Sequence, residues 1–207
     1  MKVFICWSGK LGGEVAKVTK AFIENVIQSC TVFVSEDLEK GATWPLVLTE
    51  ELAQAGFGIV VITRESANAP WLLFEAGCLT KFGKTRVCPL LVDIEQREFR
   101  MPLSLFQGSR LDREDMEKLL QSINNGPEKP LLTETRLKSS FEAFWQKYEA
   151  RVTELLKSQK GDTSKEEAPR IEEIAGETLL IARTIAREVA DLKIAIFGDE
   201  EEAGKTS

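Results

Sequence analysis

The chain of 207 residues has 33 acidic and 27 basic side chains, a formal net charge of −6 and no histidine. Nucleic acid is not expected as the main partner, because phosphate binding needs a basic surface. The lack of histidine excludes Ser-His and Cys-His nucleophilic catalysis and removes the usual metal ligand. Any chemistry must therefore use carboxylates, hydroxyls, Lys or Arg, and we expect no metal site.

Neither a membrane span nor an export signal is predicted. No apolar run approaches the roughly 20 residues that a membrane helix needs, and the short run from Lys2 to Trp7 lacks the features of a signal peptide. We therefore expect a cytoplasmic protein. Its cysteines (Cys6, Cys30, Cys78 and Cys88) form no CxxC pair, which favours reduced structural thiols over zinc ligands.

Four short apolar runs predict parallel strands that are covered on both faces, because each run is nearly continuous in its apolar character. They span Val3 to Trp7, Thr31 to Ser35, Gly58 to Thr63 and Arg86 to Val92. A short fifth strand is predicted within Ser104 to Leu111.

Segments with helical spacing separate these strands. Val15, Val18, Phe22 and Val26 form the apolar face of the first helix. Further helices are predicted at Leu46 to Ala55, Trp71 to Phe82 and about Lys138 to Leu156. Strands that alternate with helices of this length indicate a flavodoxin-like α/β domain, a doubly wound parallel sheet of about five strands in the order 2-1-3-4-5.

The C-terminal part of the chain has a different pattern. We predict a first domain over residues 1–157, a polar linker over residues 158–168 and an amphipathic helix over residues 169–197. The apolar face of this helix must be covered, and packing on the domain or on another copy would both serve. Residues 198–207 are predicted to form a flexible tail.

Six residues separate the third predicted strand from the segment Pro70-Trp71-Leu72-Leu73-Phe74-Glu75-Ala76-Gly77, which is apolar except for one carboxylate. Proline suits the first turn of a helix, which would place Trp71 and Glu75 one above the other on the same face. A partly buried acid beside an aromatic ring at a strand end is a candidate site. A structural glutamate at the edge of the core is compatible with the same spacing.

Two more segments point to the same region. Open α/β sheets bind ligands at the carboxyl ends of the strands where strand order reverses, here between strands one and three. Strand one runs into the glycine-rich turn Trp7 to Gly13, and strand three runs into Thr63 to Asn68, so we expect both to converge there. The turn fits neither GxGxxG nor the P-loop pattern, and ordinary turn chemistry also explains it.

Combined, three motifs resemble those of a bacterial TIR (Toll/interleukin-1 receptor) domain over about residues 1–155. VFICWSG (residues 3–9) resembles the first box of the family, although many relatives carry Ser at the position of Cys6. The charged segment SEDLEKGATW (residues 35–44) resembles the BB loop. APWLLFEAG (residues 69–77) resembles the third helix of enzymatic members, which carry WxxxE.

The resemblance implies an enzyme that cleaves NAD+ at the nicotinamide–ribose bond, with NAD+ as substrate and no cofactor. Glu75 matches the catalytic glutamate of the family, and Trp71 matches the aromatic residue before it. Ser8 and Gly9 match the strand end that lines the pocket. The substrate-binding candidates are therefore Trp7, Ser8, Gly9, Lys10, Asp37, Trp44 and Trp71.

One carboxylate is chemically sufficient for this reaction. Ordinary glycosidases need two, because a poor alkoxide leaving group must be protonated. Nicotinamide leaves from a pyridinium that is already cationic, so no general acid is required. A single carboxylate can stabilise the oxocarbenium-like ribose by its charge or by holding a ribose hydroxyl.

The resemblance further implies TIR–TIR self-association, a partner protein or nucleotide-signal sensor, and a role in bacterial antiphage immunity or signal transduction. The linear or cyclic form of the product remains open. A non-catalytic TIR adaptor is an alternative, and so is a nucleoside 2-deoxyribosyltransferase, which also uses a glutamate on a similar sheet. A phosphoacceptor receiver domain is disfavoured, because strand three ends in Thr63-Arg64 without an aspartate.

Overall fold

The computed structural model describes residues 1–34, 54–69, 72–73, 76–77, 86–98, 103, 106–126 and 130–159. All of them belong to one compact unit, Met1–Thr163. The predicted C-terminal helix and tail lie outside these residues, as do residues 160–168 of the predicted linker and nearly all of the helix predicted at Leu46 to Ala55. Those elements, and the domain boundaries drawn with them, stay predictions. Residues 158 and 159 of that linker are described and are helical.

Five parallel strands form one sheet in the order β2-β1-β3-β4-β5, which confirms the predicted topology. The strands are β1 (Lys2–Cys6), β2 (Thr31–Val34), β3 (Phe57–Ile62), β4 (Arg86–Leu91) and β5 (Ser109–Arg110). Each overlaps the run predicted for it. All six residues of β3 are buried, as expected of a strand in the middle of a sheet that is covered on both faces.

Three helices have defined bounds: α1 (Gly9–Val26), α2 (Arg113–Asn124) and α3 (Glu134–Gln159). α1 and α3 were predicted, and α3 is longer than expected at both ends. α2 was missed although its signals are present in the sequence. The Asp112 side chain caps it by accepting a hydrogen bond from the Asp115 backbone N–H, and its buried side chains recur at helical spacing.

Alternating strand residues divide the core into two layers. Val3 and Ile5 of β1 belong to one layer, with buried residues of α1, α2 and α3. Phe4 and Cys6 belong to the other layer, which includes Leu72 from the segment after β3. Apolar groups therefore cover both faces of the sheet. A ligand site can form at the edge where the strands end.

An aromatic cluster joins α1 to α3. Phe22 of α1 stacks on Tyr148 with ring centroids 4.3 Å apart, and Phe141 stacks on Trp145 at 5.2 Å. The buried hydroxyls of Thr19 and Tyr148 lie 3.2 Å apart and share a hydrogen bond. Burial raises the pKa of Tyr148, so this hydroxyl stays protonated. The cluster sets the position of α1 along α3, and α1 begins at the candidate site.

The described cysteines are free thiols. Cys6 and Cys30 are buried, and burial raises the pKa of Cys30 to about 11. Burial also raises the pKa of Cys88, which is partly exposed. Cys78 lies outside the described residues. No described helix is long and apolar enough to cross a membrane.

The hydrogen bond between Thr19 and Tyr148 can be tested by a double-mutant cycle. We expect Thr19→Val or Tyr148→Phe alone to lower the free energy of unfolding by about 1–2 kcal/mol, because each removes the hydrogen bond between the two buried hydroxyls. In Thr19→Val the Tyr148 hydroxyl keeps only the weaker bond to Sδ of Met116 at 3.9 Å. The double variant should cost less than the sum of the two, since both hydroxyls are then gone. Urea unfolding measures the three values, and strictly additive losses would contradict the pairing.

Candidate functional site at the ends of strands one and three

The candidate site lies where the order of the strands reverses. β1 pairs in parallel with β2 on one side and with β3 on the other, and Cys6 is in register with Val60. The segments that follow β1 and β3 therefore emerge side by side at the same edge of the sheet. This confirms the expectation that the glycine turn and the segment from Thr63 onward converge.

The turn after β1 leads directly into α1. Gly9 has a φ of 76°, in the left-handed region that favours glycine, and it is the first residue of the helix. Ser8 occupies the N-cap position, but its side chain makes no capping hydrogen bond, and the first turn contains no acidic residue. The N–H groups that begin α1 thus lack a side-chain acceptor from their own turn, which suits an anionic ligand. Lys10, the second helical residue, is exposed.

Trp7 packs against the first turns of α1. A Cβ atom on Gly13 would lie 2.8 Å from Cζ3 of Trp7, so the six-membered ring occupies the space that a side chain would need. Trp7 is partly buried, and its buried indole N–H has no hydrogen-bond partner among the described residues. The packing of the Trp7 ring on Gly13 holds the start of α1 close to the end of β1.

Hydrogen bonds fix the turn after β3. The Thr63 backbone N–H and hydroxyl both donate to Oγ of Ser66 at 3.0 Å, and the Ser66 backbone N–H donates to Oγ1 of Thr63 at 3.1 Å. The Arg64 backbone N–H donates to the Asp93 carboxylate at 2.7 Å, and the Arg64 guanidinium binds the Glu98 carboxylate. The Glu95 backbone N–H and then Arg64 lower the pKa of Glu98. The end of β3 is thus tied to the segment that follows β4.

The two strand ends come together at Glu65 and Gly9. A Cβ atom on Gly9 would lie 3.1 Å from Oε2 and 3.5 Å from Oε1 of Glu65, so the exposed carboxylate lies against the glycine turn. Glu65 was not among the predicted site residues. The topology offered the only signal for it, because Glu65 is the one acidic residue in the Thr63 to Asn68 segment that was expected to reach the site.

The other predicted site residues lie outside the described part of the chain: Trp71, Glu75, Asp37 and Trp44. The helix predicted at Trp71 to Phe82 is described at only four positions, where the backbone is helical. Two of these, Leu72 and Ala76, are buried in the core layer that contains Phe4. In the described residues, no group of three or more Cys, Asp or Glu side chains could hold a metal ion.

A model of the TIR domain family matches residues 3–121, more than half of the chain. A comparison with curated proteins found no match. One similar solved structure is a 2-deoxyribosyltransferase from the psychrotolerant bacterium Bacillus psychrosaccharolyticus, with 13% identity, a TM-score of 0.44 and coverage of 64% of this chain and 100% of that one.

A second similar structure contains the TIR domains of the activated Roq1 resistosome, which directly recognizes the pathogen effector XopQ. The identity is 14% and the TM-score 0.40, with 89% of this chain and 98% of that chain covered.

Adjacent glycines of α1 give a matched test of the Trp7 contact. Gly13→Ala should lower the free energy of unfolding by about 1–3 kcal/mol, because the new methyl group would displace the Trp7 ring. Gly12→Ala should be neutral or stabilise by up to about 1 kcal/mol, since alanine favours the helix and its Cβ would meet Trp7 no closer than 3.7 Å. Urea unfolding of both variants measures the difference. Equal effects would show that the ring does not lie on Gly13.

Proposed function

The chain belongs to the TIR domain family, and on that premise we propose that it is an NAD+ glycohydrolase. It would cleave the nicotinamide–ribose bond to give nicotinamide and ADP-ribose or a cyclic isomer. The observation that carries the proposal is the meeting of the β1 and β3 ends at the strand-order switch, where open α/β sheets bind their ligands. The matched region also includes Glu75, which we assign as the catalytic glutamate from the resemblance of residues 69–77 to the third helix of enzymatic members.

Cleavage requires the protein to stabilise a positive charge on the ribose but not to protonate the leaving group. When the C–N bond breaks, its electron pair neutralises the pyridinium nitrogen, and nicotinamide leaves without accepting a proton. The positive charge that develops on the ribose is stabilised by the Glu75 carboxylate. Water then attacks C1′ and loses a proton to give ADP-ribose, whereas attack by an adenine nitrogen of the same molecule gives a cyclic isomer.

The rest of the substrate is assigned to the glycine turn and its neighbours. The adenosine half would lie at the glycine turn, Trp7 to Gly9, and the exposed Lys10 would add a positive charge for the diphosphate beside it. Trp71 would form an aromatic wall. Asp37 and Trp44 would contribute from the segment that resembles the BB loop.

Replacing Glu75 tests the proposed activity. We expect Glu75→Gln to lower the rate of NAD+ loss by at least about 100-fold, because the amide cannot supply the negative charge that stabilises the ribose cation. The matched control is Glu149→Gln, which removes the same charge from an exposed position of α3. Chromatography of NAD+, nicotinamide and ADP-ribose after incubation with concentrated protein measures the rates. Equal activity of Glu75→Gln and wild type would contradict the role of Glu75.

Self-assembly is proposed to activate the enzyme, within a bacterial antiphage or signalling system in the cytoplasm. The proposal is motivated by the BB-loop resemblance and by the apolar stripe predicted for residues 169–197. Self-association that persists in Glu75→Gln would separate assembly from catalysis.

The specific activity should therefore rise with protein concentration, in parallel with the oligomer fraction measured by light scattering. Full activity in a dilute sample shown to be monomeric would contradict activation by assembly. Both measurements use the complete chain, so that the predicted C-terminal helix is present.

A further inference from the structure

One carboxylate of the site makes no hydrogen bond or ion pair with the described residues. In the turn after β3, Thr63 and Ser66 bind each other, and Arg64 is held by Asp93 and Glu98. Glu65 lies between these fixed residues, yet its side chain has no hydrogen bond or ion pair within the described part of the chain. The turn is therefore pre-organised around a carboxylate that is available to a ligand.

The position and charge of Glu65 restrict which chemical groups of a ligand can bind there. Both carboxylate oxygens lie close to Gly9, whose missing side chain leaves the approach open. An ionised carboxylate only accepts hydrogen bonds, and its charge opposes a phosphate group. Cations and neutral hydroxyl donors are the complementary partners, and the adenosine ribose, which carries no positive charge, presents two hydroxyls on adjacent carbons.

We propose that Glu65 binds a hydroxyl of the adenosine ribose and thereby selects NAD+ over its 2′-phosphorylated form, NADP+. The inference rests on the proposed function, in which Glu75 serves the nicotinamide ribose and the glycine turn receives the other half of the substrate. An acidic residue at the end of a strand commonly plays this part in dinucleotide sites of other α/β folds, where it accepts the ribose 2′-hydroxyl. In NADP+ that hydroxyl is replaced by an anion, so the hydrogen bond is lost and repulsion takes its place.

The test measures binding separately from cleavage. Isothermal titration calorimetry with NAD+ and with NADP+ uses the complete chain carrying Glu75→Gln, so that turnover does not consume the ligand. Glu65→Gln is added to one sample, and Glu149→Gln to another as the charge-matched control. Glu65→Asp in a fourth sample retains the charge. In parallel, initial rates of NAD+ and NADP+ cleavage are compared between wild type and the single Glu65→Gln variant.

Glu65→Gln should weaken NAD+ binding by about threefold to tenfold, because a neutral amide oxygen accepts a weaker hydrogen bond than a carboxylate. It should strengthen NADP+ binding, so that the preference for NAD+ falls by roughly tenfold or more. Glu65→Asp should keep most of the preference, and Glu149→Gln all of it. Melting temperatures should change little, since Glu65 is exposed and makes no hydrogen bond or ion pair with the described residues.

Three results would overturn the role of Glu65: an unchanged NAD+/NADP+ ratio in Glu65→Gln, tighter NAD+ binding by that variant, or an equal change in Glu149→Gln. Selective NAD+ binding that depends on Glu65, found in a protein that cleaves no NAD+, would support this role and refute only the glycohydrolase. Binding of neither dinucleotide would refute both. The two proposals can therefore fail separately.

Discussion

The parallel pairing of β1 with a strand on each side is the constraint on which the site depends. β2 and β3 flank β1, so the connection after β1 and the connection after β3 must leave the sheet at the same edge. Helices cannot cover that edge where the direction of winding changes. The crevice is thus a consequence of strand order, and the side chains within it only determine what it binds.

Packing then determines how α1 presents its first turn. The Trp7 ring lies on Gly13 near one end of the helix, and the contacts of Phe22 and Thr19 with α3 hold it further along. Gly9 turns the chain between strand and helix with a φ that other residues rarely adopt. The helix start is therefore positioned by contacts that do not themselves involve a ligand.

The sequence predicted the sheet well, because a buried parallel strand must be apolar along nearly its whole length. β1 to β4 meet this requirement except at Lys2, Thr31 and Arg86, the first residues of β1, β2 and β4. The order of the strands and the meeting of the two strand ends also followed from the pattern. α2 was missed because charged residues dominate it, although Met116, Leu119, Leu120 and Ile123 are buried at helical spacing. A closer count of that spacing would have identified it.

The details of the site were less accessible from the sequence. An exposed glutamate in a turn belongs to no periodic pattern, so only tertiary structure could bring Glu65 to Gly9. Trp7 illustrates a second limit, since a tryptophan that packs on a helix and one that faces a ligand have the same appearance in a sequence. Glu75 and Trp71 lie outside the described residues, and their roles remain predictions from family resemblance.

The contact between Gly9 and Glu65 links two positions that are far apart in the chain. A side chain at position 9 would be strained by the positive φ and would crowd the Glu65 carboxylate. The side chain at position 65 has neither restriction, and the group that it faces across the crevice sets its requirements. Change during divergence should therefore occur at position 65 while position 9 stays glycine. A lineage could then acquire a new ligand preference through one substitution in the turn after β3, while the glycine turn after β1 stays unchanged.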